Sequence, residues 1–525
     1  MDDGYDVVVV GGGAAGLAGA LALARARRSV LVVDAGAPRN APADRVHNYL
    51  GREGTPPAEL TATGRAEVTG HGGHVVDGRV EAVTRDRDDF VVTVDGDRRV
   101  RARRLLVTTG LVDELPPVPG LAQRWGRDVL HCPYCHGWEV RDRRIGVLAT
   151  GPLAVHQALL WRQWSPHVLV LTHEGPTPDA EQAERLAARD VGVVPGEVTG
   201  VTVTDDRLTG VRLASGEVVA LDALVVATGM TARSALLTSL GLVPEDVEMS
   251  GHVIGRRIAA DATGATAVPG VWVAGNVTDV AAQVIRAAGA GLTAGAAINA
   301  DLVEEDTRRA VDARRRQREE MFTEAAWEER YRSRTSMWSG RPNPQLVAEV
   351  AGTTPGRALD VGSGEGADAV WLAEQGWQVT GVDISATALE RAAGHARDAG
   401  DQVAARIEFT HADLLSWSPP PGAYDLVSAQ FMQLPPEARR EMFARLAEAV
   451  APGGRLLIVG HDPGDTHVGG HRARYPEMMF TAEQVAADLD PQRFEVLVTQ
   501  SRPRSAVHDG RDVVIHDAVL VARRR

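Results

Sequence analysis

Two glycine-rich turns constrain this chain more than any other feature of its sequence. They are Gly11–Gly16 and Gly362–Gly366, and each lies between a short apolar segment and a segment with helical character. In both cases a second apolar segment follows and ends at an aspartate, Asp34 or Asp383. A strand, a glycine turn, a helix and a strand ending in an acid form the unit with which parallel α/β sheets bind nucleotides. The sequence therefore predicts an α/β protein with two separate nucleotide sites.

The first turn reads G-G-G-A-A-G and carries the full dinucleotide-binding pattern. Gly11 allows the tight turn, Gly13 the close approach of a pyrophosphate, and Gly16 the close packing of helix against strand. Asp34 is expected to accept a hydrogen bond from a ribose hydroxyl. The pattern alone does not distinguish FAD from NAD, and a glycine-rich turn of an ordinary α/β domain is the alternative interpretation.

The segment H-C-P-Y-C-H-G-W-E, residues 131–139, contains both cysteines of the 525-residue chain. A disulphide between Cys132 and Cys135 would close too short a loop to stabilise the fold much. A zinc site usually needs a second pair of ligands, and His131 and His136 are poorly placed to complete one. The favoured interpretation is a redox-active dithiol whose thiolate pKa is lowered by an imidazolium of either histidine.

Charge and composition exclude several classes of function. The 56 basic and 70 acidic residues give a net charge of −14, which argues against non-specific binding of nucleic acid or anionic membranes. Every basic residue is an arginine, so Schiff-base chemistry and a P-loop lysine are excluded. No apolar run reaches the roughly 18 residues of a membrane span, and the acidic start is unlike a signal peptide. We therefore expect a cytoplasmic protein, in which a single cysteine pair is catalytic.

Three further motifs indicate which nucleotide the first turn binds. Leu105–Gly110 and Leu224–Gly229 are near-copies, each an apolar segment that ends in Thr-Gly, and Val271–Asp279 reads V-W-V-A-G-N-V-T-D. With the glycine turn, the H-N-Y-L-G segment at 47–51 and the C-P-Y-C segment, they follow one another in a characteristic order. Over residues 4–303 the chain resembles the low-molecular-weight thioredoxin reductase family of flavoproteins.

The resemblance implies an FAD-binding homodimer in which Cys135 lies against the flavin and Cys132 faces the substrate. In that family a smaller nucleotide-binding domain, which carries the C-x-x-C motif, is inserted into the FAD domain. The implied limits are 1–115 and 236–303 for the FAD domain and 116–235 for the insert. The residues that correspond to the family's FAD site are Gly11, Gly13, Ala15, Gly16, Asp34, Asn48, Thr109, Gly110, Gly275, Asn276 and Gln283.

The inserted region departs from the family pattern where NADPH would bind. The family's G-x-G-x-x-A turn is replaced by A-T-G-P-L-A at Ala149–Ala154, so its first glycine is lost. Glu174 stands where the family has arginines for the 2′-phosphate and would repel that group, which makes NADPH a doubtful cofactor. His136 replaces the usual acid after the second cysteine. This form is similar to the dithiol oxidases of the gliotoxin and holomycin type, which pass electrons to oxygen, and His136 is the expected acid/base.

The second glycine turn, G-S-G-E-G, belongs to a different enzyme. It follows the apolar segment Arg357–Val361, and a P-G-G turn at 452–454 precedes another apolar segment. Residues 336–525 resemble the class I S-adenosylmethionine-dependent methyltransferases, and an NAD-binding half is a poorer fit. The resemblance implies that Asp383 binds the ribose diol and Asp413 the adenine amine. The residues expected to bind this cofactor are Asp360, Gly362, Gly364, Asp383 and Asp413.

The charged segment 304–335 is predicted to be a solvated helical linker between the two enzymes. Near its end, Trp327 and Tyr331 with Trp338 resemble the acceptor-side segment of small-thiol and oxyanion methyltransferases. The alternative is that these aromatic side chains, at helical spacing, only pack the linker helix. The sequence leaves both interpretations open.

Three histidines, His461, His467 and His471, follow the apolar segment Leu456–Val459, where class I enzymes bind the methyl acceptor. Acceptor-pocket or surface histidines are the favoured interpretation over a metal triad, so no metal site is predicted. One of them is a candidate general base for a thiol, which needs little help to ionise.

The sequence thus predicts a two-domain FAD/pyridine-nucleotide disulphide oxidoreductase fold followed by a Rossmann-like class I methyltransferase domain. The expected function is oxidation of small thiols or dithiols, with oxygen as electron acceptor, combined with S-methylation of a small thiol. One alternative is an NAD(P)H-dependent disulphide reductase whose methyltransferase acts on an unrelated substrate. Another is a flavin-bearing redox sensor in which the cysteine pair is the switch.

Overall fold

The computed structural model describes residues 4–468, 475–508 and 511–525. These residues form two compact units, Met1–Arg308 and Arg309–Arg525. Both units combine strands and helices around parallel sheets, as the two glycine turns predict. Within the described ranges, none of the helices has both the length and the apolar character that a membrane span requires.

The first unit contains several sheets, begins with a strand and ends in a long helix. Its strands are β1 (Gly4–Val10), β2 (Val30–Asp34), β3 (His74–Asp77), β4 (Val80–Asp86), β5 (Asp89–Val94), β6 (Arg98–Val107), β7 (Leu111–Glu114), β8 (Val129–Leu130), β9 (Ile145–Leu148), β10 (Val168–Leu171), β11 (Gly192–Val194), β12 (Val198–Thr204), β13 (Arg207–Leu213), β14 (Val218–Ala220), β15 (Ala223–Val226), β16 (Gly229–Ala232), β17 (Glu245–Met249), β18 (His252–Arg257) and β19 (Val271–Val273). Its helices are α1 (Ala14–Arg25), α2 (Pro57–Gly70), α3 (Leu121–Arg124), α4 (Pro133–His136), α5 (Ala154–Trp161), α6 (Ala180–Ala187), α7 (Ala235–Thr238) and α8 (Val284–Glu320), with a 3-10 turn at Gly275–Val277.

The first sheet has the strand order β3-β2-β1-β6-β5-β4, and β19 also pairs with β6. Strand β1 lies parallel between β2 and β6. Val7 and Val9 pack into one apolar cluster, and Val8 and Val10 pack into another on the opposite face. Because both faces are covered, β1 is an unbroken apolar run rather than an alternating one. The first glycine turn therefore lies at the carboxyl edge of a rigid sheet.

A second nucleotide-binding-like sheet, with the order β11-β10-β9-β15-β8, is parallel throughout. The smaller antiparallel sheet β12-β13-β14 belongs to the same stretch of chain. The chain enters this region after β7 and leaves it before β16, and these two strands pair antiparallel with each other. This is the topology of one domain inserted into another, and the limits predicted at residues 115 and 235 remain predictions.

The long helix α8 is fixed to the first sheet by a cluster of ion pairs. The cations are an arginine just after α1 and two arginines of β6. The carboxylates belong to residues 301–306 of α8. The pairs are Arg28–Asp306 (2.7 Å), Arg103–Asp306 (2.6 Å), Arg104–Asp301 (2.5 Å) and Arg104–Glu305 (2.7 Å). The charged segment 304–335 is therefore not one separate linker helix, because its first part continues α8.

The second unit is built around one sheet. Its strands are β20 (Arg357–Val361), β21 (Gln378–Asp383), β22 (Ile407–His411), β23 (Tyr424–Gln430), β24 (Val450–His461), β25 (Phe494–His508) and β26 (Arg511–Arg524). Its helices are α9 (Glu324–Arg332), α10 (Pro344–Val350), α11 (Ala367–Glu374), α12 (Ala386–Asp398), α13 (Asp401–Ala404), α14 (Pro436–Ala449) and α15 (Ala482–Ala487), with 3-10 turns at Pro463–Val468 and Pro476–Met478. The strand order is β22-β21-β20-β23-β24-β26-β25, and only the pairings of β26 are antiparallel.

One local prediction differs from the structure in this unit. The P-G-G segment at 452–454 was expected to be a turn before a strand, but it lies inside β24. The register with β23 shifts between Tyr424 and Leu426, so the segment is an irregularity in the ladder. Such a bulge accommodates a proline and glycines without ending the strand.

Candidate functional site

The first unit contains a cavity of about 1600 Å³ that brings its sequence motifs together. The glycine turn after β1 forms one part of the wall, and Cys132, Cys135 and His136 form another. The turn between β9 and α5 also borders the cavity. The predicted FAD-site residues that line it are Gly11, Gly13, Ala15, Asp34, Thr109, Gly110, Gly275, Asn276 and Gln283.

The first glycine turn has the geometry that a bound pyrophosphate requires. Gly11 has a φ of +107°, and a Cβ on Gly16 would lie 1.9 Å from the Gly11 carbonyl oxygen, so α1 can approach only because that residue is glycine. A Cβ on Gly13 would meet no atom within 4 Å, which leaves the turn open to a ligand. Asp34 Oδ1 accepts the N–H of Gly12 at 3.1 Å. A dinucleotide therefore fits, with its phosphates at the amino end of α1.

Two predicted FAD residues have their amide groups engaged by the protein. Asn276 Nδ2 donates to the carbonyl oxygens of Asp279 at 3.0 Å and Ala282 at 2.9 Å, which shapes the turn before α8. Asn48 Nδ2 donates to the Tyr134 carbonyl oxygen at 2.6 Å, and Asn48 is not among the residues that line the cavity. Asn48 thus connects its loop to the helix that carries the cysteines.

The two cysteines lie at the start of the short helix α4. Their Sγ atoms are 2.8 Å apart, and both thiols are free. The N–H groups of Cys135 and His136 both donate to the Cys132 carbonyl oxygen at 3.2 Å, which closes the turn around the pair. Gln283 Nε2 lies 3.8 Å from Cys135 Sγ. Gln283 also hydrogen-bonds Cys132, so a predicted FAD residue contacts the dithiol.

The two thiols differ in acidity because one donates a hydrogen bond to the other. The hydrogen bond from Cys135, aided by backbone N–H groups of α4, lowers the pKa of Cys132 to about 7 although burial opposes the shift. The same hydrogen bond and burial raise the pKa of Cys135. Above a pH of about 7 the pair therefore holds one proton, on Cys135, and Cys132 is the thiolate.

The neighbouring histidines differ from the sequence-based expectation. Burial lowers the pKa of His136. The negative charge of Glu139 raises that pKa, but by less than burial lowers it. Burial, with a contribution from the positive charge of Arg39, also lowers the pKa of His131. Both imidazoles are therefore neutral near pH 7, and the Cys132 thiolate is stabilised by Cys135 rather than by an imidazolium. A neutral His136 remains suited to accept a proton from a thiol.

An ion pair that the sequence did not single out lies close to the dithiol. Arg39 binds Asp113 through two hydrogen bonds of 2.7 Å, and Thr228 Oγ1 donates to the same carboxylate at 3.0 Å. Burial would raise the pKa of Asp113, but the Arg39 hydrogen bond and charge hold it below its usual value. The charge of Arg39 also opposes the raised pKa of Cys135. Arg39 and Asp113 are far apart in sequence, so no local pattern indicates the pair.

The turn of the inserted region offers different chemistry to a ligand. Ala149 is buried at the end of β9. After β10, His173 Nδ1 accepts the N–H of Val198 at 3.1 Å, so this imidazole is turned inward. The side chain of Glu174 is 72% exposed. The segment after β10 therefore presents a carboxylate, and no arginine, where a 2′-phosphate would be recognised.

In the second unit the glycine turn after β20 is bound by the acid at the end of β21. Gly364, with a φ of +52°, donates its N–H to Asp383 Oδ2 at 2.9 Å. Burial raises the pKa of Asp383 although backbone N–H groups oppose it. Asp360 is buried beside them, and its Oδ2 has no hydrogen-bond partner among the described residues. Burial and the charges of Asp368 and Asp383 raise the pKa of Asp360 well above its usual range.

The aromatic residues before this turn pack against it. Trp338 Nε1 donates to the Tyr331 hydroxyl at 3.0 Å, and a Cβ on Gly364 would lie 3.1 Å from each of these atoms. The carboxylate of Glu365 accepts the backbone N–H of Trp338 at 3.2 Å and holds the segment in place. The Trp327 ring lies 6.1 Å from the Tyr331 ring. The aromatic group thus covers the nucleotide turn and does more than pack a linker helix.

Asp413 and His461 lie on the same edge of this sheet, because each stands at the carboxyl end of a parallel strand. Asp413 is exposed after β22, and its carboxylate accepts a backbone N–H at 2.8 Å. His461 ends β24, with its ring 4.7 Å from that of Phe431. The side chain of His467 and the whole of His471 lie outside the described residues. Among the side chains that are described, no three histidine, cysteine or acidic groups are arranged to hold a metal ion.

The inserted sheets and the buried dithiol define a disulphide oxidoreductase, joined to a second α/β unit with its own nucleotide turn. Residues 5–291 match the family described as pyridine nucleotide-disulphide oxidoreductase, and residues 358–454 match a methyltransferase domain. The chain belongs to the pyridine nucleotide-disulphide oxidoreductase family, and it is an enzyme that also carries a methyltransferase domain. The family implies a flavin, and the second domain implies S-adenosylmethionine.

Similar proteins support the same assignment. Thioredoxin reductase tcpT of Claviceps purpurea (strain 20.1) is 32% identical over 251 residues, which cover 45% of this chain and 77% of that protein. Thioredoxin reductase sirT of Leptosphaeria maculans is 29% identical over 313 residues, 56% of this chain and 93% of that protein. The crystal structure of HlmI shares 46% identity with a TM-score of 0.56, over 60% of this chain and 98% of its own. The predicted thioredoxin reductase-like fold followed by a methyltransferase domain is confirmed.

Proposed function

We propose that the first unit oxidises small dithiols to disulphides with FAD and molecular oxygen. We propose further that the second unit methylates a small thiol with S-adenosylmethionine. The observation that carries the first proposal is one cavity with two unequal ends. Cys135 contacts Gln283 at the end formed by the predicted FAD residues. The inserted turn at the other end lacks the first glycine of a nucleotide site, and Glu174, on the segment after β10, stands where NADPH would need cations. Electrons are therefore expected to enter through the dithiol.

FAD fits the residues of the first end. The open backbone at Gly13 would hold the pyrophosphate, and Asp34, already fixed by the Gly12 N–H, would bind the ribose. When bound, FAD supplies a two-electron acceptor for the dithiol and returns those electrons to oxygen. In the overall reaction a dithiol and dioxygen give a cyclic disulphide and hydrogen peroxide.

The cysteines exchange bonds with the substrate in two steps. A substrate thiolate attacks Sγ of Cys132 in the oxidised pair, and the bond to Cys135 breaks. The second substrate thiolate then attacks the sulfur now bound to Cys132, which forms the product disulphide and releases Cys132. A sulfur whose pKa is about 7 is a good leaving group, so Cys132 suits this second step. His136, neutral and on the cavity wall, takes up a proton from the substrate thiols.

Both units are proposed to act on sulfur in the same or closely related small molecules. A dithiol can be closed to a disulphide or capped by methylation, and both reactions begin with a thiolate. S-Adenosylmethionine supplies the methyl group when it is bound, and Asp383 and the backbone of Gly364 are the residues proposed to hold it. By analogy with its family, the enzyme is proposed to be a homodimer through the first unit.

Anaerobic mixing tests the redox part of this proposal. The protein is mixed with dithiothreitol, NADPH or NADH without oxygen, and the flavin absorbance is followed. Dithiothreitol should bleach the flavin, the two nicotinamides should act slowly or not at all, and admitted air should restore the colour. Cys135→Ser should keep the bound flavin yet resist bleaching by the dithiol, whereas Asp142→Asn, an exposed matched control, should behave as the wild type.

A disulphide reductase is the second candidate, because the named relatives are thioredoxin reductases. Rapid stoichiometric bleaching by micromolar NADPH would support it and contradict the oxidase proposal. A redox sensor would change state once, whereas an oxidase consumes many equivalents of oxygen for each flavin. Oxygen uptake with excess dithiothreitol separates these two outcomes.

A further inference from the structure

A carboxylate–imidazole pair lies in the second unit outside the residues assigned so far. Asp465 Oδ1 is 3.0 Å from Nδ1 of His516, and Asp465 Oδ2 accepts the backbone N–H of the same residue. The Asp465 side chain is 1% exposed, whereas the His516 side chain is 41% exposed. Both oxygens of a buried carboxylate therefore contact one histidine, and the ring of that histidine reaches the surface of the unit.

The hydrogen bond fixes the tautomer of this histidine. An ionised carboxylate only accepts hydrogen bonds, so Nδ1 of His516 must be the donor. The lone pair of the neutral ring is then on Nε2, which points away from Asp465 because it is the opposite nitrogen of the ring. This arrangement orients an imidazole as a proton acceptor.

The pair lies at the sheet edge where the methyl acceptor is expected. In open α/β sheets, ligands bind beyond the carboxyl ends of the parallel strands. His461 ends β24 and is paired with Asp517 of the antiparallel strand β26, and His516 is the residue just before it. The backbone N–H of Asp462 donates to the His516 carbonyl oxygen at 3.2 Å. His516 is therefore at the same edge as the nucleotide turn.

Neighbouring residues on this edge have features of a binding site. Phe431, directly after β23, has a φ of +55°, a strained value for an aromatic residue. The Oε1 atom of Gln430 is buried and has no hydrogen-bond partner among the described residues. A Cβ on Gly362 would lie 2.6 Å from Sδ of Met432, so the segment after β23 touches the nucleotide turn. The edge thus runs without interruption from the cofactor turn to the strand end beside His516.

The other charged groups described on this edge are engaged elsewhere. Asp517, next along β26, is fully buried and is bound by Arg504 at 2.8 Å and by Gln345. On the adjacent strand β25, the residue paired with His516 is Pro503, which is uncharged. The ring of His461 lies against the ring of Phe431, and the Asp462 carboxylate accepts the backbone N–H of Gly464. Among the described residues, His516 forms its ion pair with Asp465.

We propose that His516, oriented by Asp465, is the general base that removes the proton from the methyl acceptor. The inference rests on the proposed methyl transfer to a thiol. The acceptor S–H bond breaks, its proton goes to Nε2 of His516, and its electron pair forms the bond to the transferred methyl carbon. The electron pair of the broken carbon–sulfur bond stays on the cofactor, which leaves as the neutral thioether S-adenosylhomocysteine. Asp465 is a positioning residue, because it touches the imidazole and not the acceptor.

Two thiols of different acidity test this role. At pH 7, 2-mercaptoethanol is almost entirely protonated, whereas 4-nitrothiophenol is already ionised and needs no base. His516→Gln should lower the methylation rate of 2-mercaptoethanol by about 100-fold, the usual lower value for lost general-base catalysis. The rate with 4-nitrothiophenol should hardly change, and the affinity for S-adenosylmethionine, measured by calorimetry, should equal that of the wild type. Asp465→Asn should show the same dependence on thiol acidity with a smaller loss.

A purely structural role predicts a different pattern. An equal loss with both thiols, or a loss of cofactor affinity, would overturn the proposal. Arg523→Gln, which removes an exposed ion pair with Glu495 on the same two strands, is the control and should change neither rate. If the wild type methylates phenols and no thiols, the proposed S-methylation is wrong. The same comparison, made with phenol and 4-nitrophenol, then still decides the role of His516.

Discussion

The two nucleotide-type turns of the first unit begin alike and end differently. The N–H of Gly11 donates to the Val33 carbonyl oxygen at 2.8 Å, and the N–H of Ala149 donates to the Leu171 carbonyl oxygen, also at 2.8 Å. After that shared bond, the first turn meets an acid, since Gly12 donates to Asp34. For the inserted turn, no hydrogen bond to an acid is found within the described part of the chain.

The difference shows which part of such a turn belongs to the fold and which to the ligand. The hydrogen bond between neighbouring strands is needed to build a parallel sheet, and both turns keep it. Gly175 belongs to the loop after β10, and a Cβ on it would lie 2.5 Å from the Ala149 carbonyl oxygen. This loop therefore packs directly on the inserted turn. The sheet is retained there, and we propose that the groups that bind a dinucleotide are not.

The largest expected effect is a test of the first turn. Gly16→Ala should yield protein without bound FAD, because the new Cβ would overlap the Gly11 carbonyl oxygen and push α1 away from the turn. Overpacking of this kind also destabilises a fold by about 1–3 kcal/mol. Gly151→Ala in the inserted turn is the matched control, since a Cβ there meets no atom within 4 Å. The ratio of flavin to protein absorbance measures both, and equal ratios would break the comparison.

The second unit provides a third turn that sharpens the comparison. The N–H of Gly364 donates to Asp383 as that of Gly12 does to Asp34, so this turn is of the intact type. Asp383→Ala should lower the affinity for S-adenosylmethionine at least about tenfold, because a hydrogen bond to a charged acceptor contributes roughly 1.5–3 kcal/mol. Calorimetric titration measures it. An unchanged affinity would mean that an acid after the second strand is no sign of an intact turn.

The thiol pair between the two ends of the cavity predicts a pH dependence. A thiol with a lowered pKa ionises at lower pH. The rate at which iodoacetamide alkylates Cys132 should therefore rise about tenfold per pH unit and level off above its pKa of about 7. Cys135→Ala removes the donor of the hydrogen bond to Cys132 and should move this midpoint to higher pH. Mass spectrometry of the reduced protein follows both. An unmoved midpoint would assign the shift to another group.

The smallest expected effect comes from a change of charge at Glu174, on the segment after β10 that follows the inserted turn and α5. Glu174→Arg replaces an exposed carboxylate with a cation, which should improve flavin reduction by NADPH no more than about tenfold, because exposed charges interact by about 1 kcal/mol. Reduction by NADH, which has no 2′-phosphate, is the control and should not change. A much larger gain with NADPH would show that the inserted turn is a working nucleotide site with one wrong charge.

Sequence alone could predict the features that depend on neighbouring residues. Strand β20 has the limits of the apolar segment Arg357–Val361, and both intact turns lie where their glycines indicate. Local patterns suffice there, because a glycine turn must follow a strand and precede a helix.

What the sequence could not predict depends on residues that only folding brings together. The acidity of Cys132 comes from a thiol hydrogen bond within a buried helix turn, and a motif of two cysteines says nothing about burial. Arg39 and Asp113 form a bidentate pair across 74 residues, and Asp465 and His516 lie 51 residues apart. None of these four residues stands in a recognisable motif.

The ion pairs of α8 determine how the two enzymes could be expressed as separate chains. A first chain that ended at residue 303, the limit predicted from sequence, would lack Glu305 and Asp306. Arg28 and Arg103 would then lose the carboxylates that the intact helix brings to them. A separately expressed first unit should therefore end beyond Asp306, at or after the boundary at Arg308. It then keeps the ion pairs that fix α8 to the first sheet.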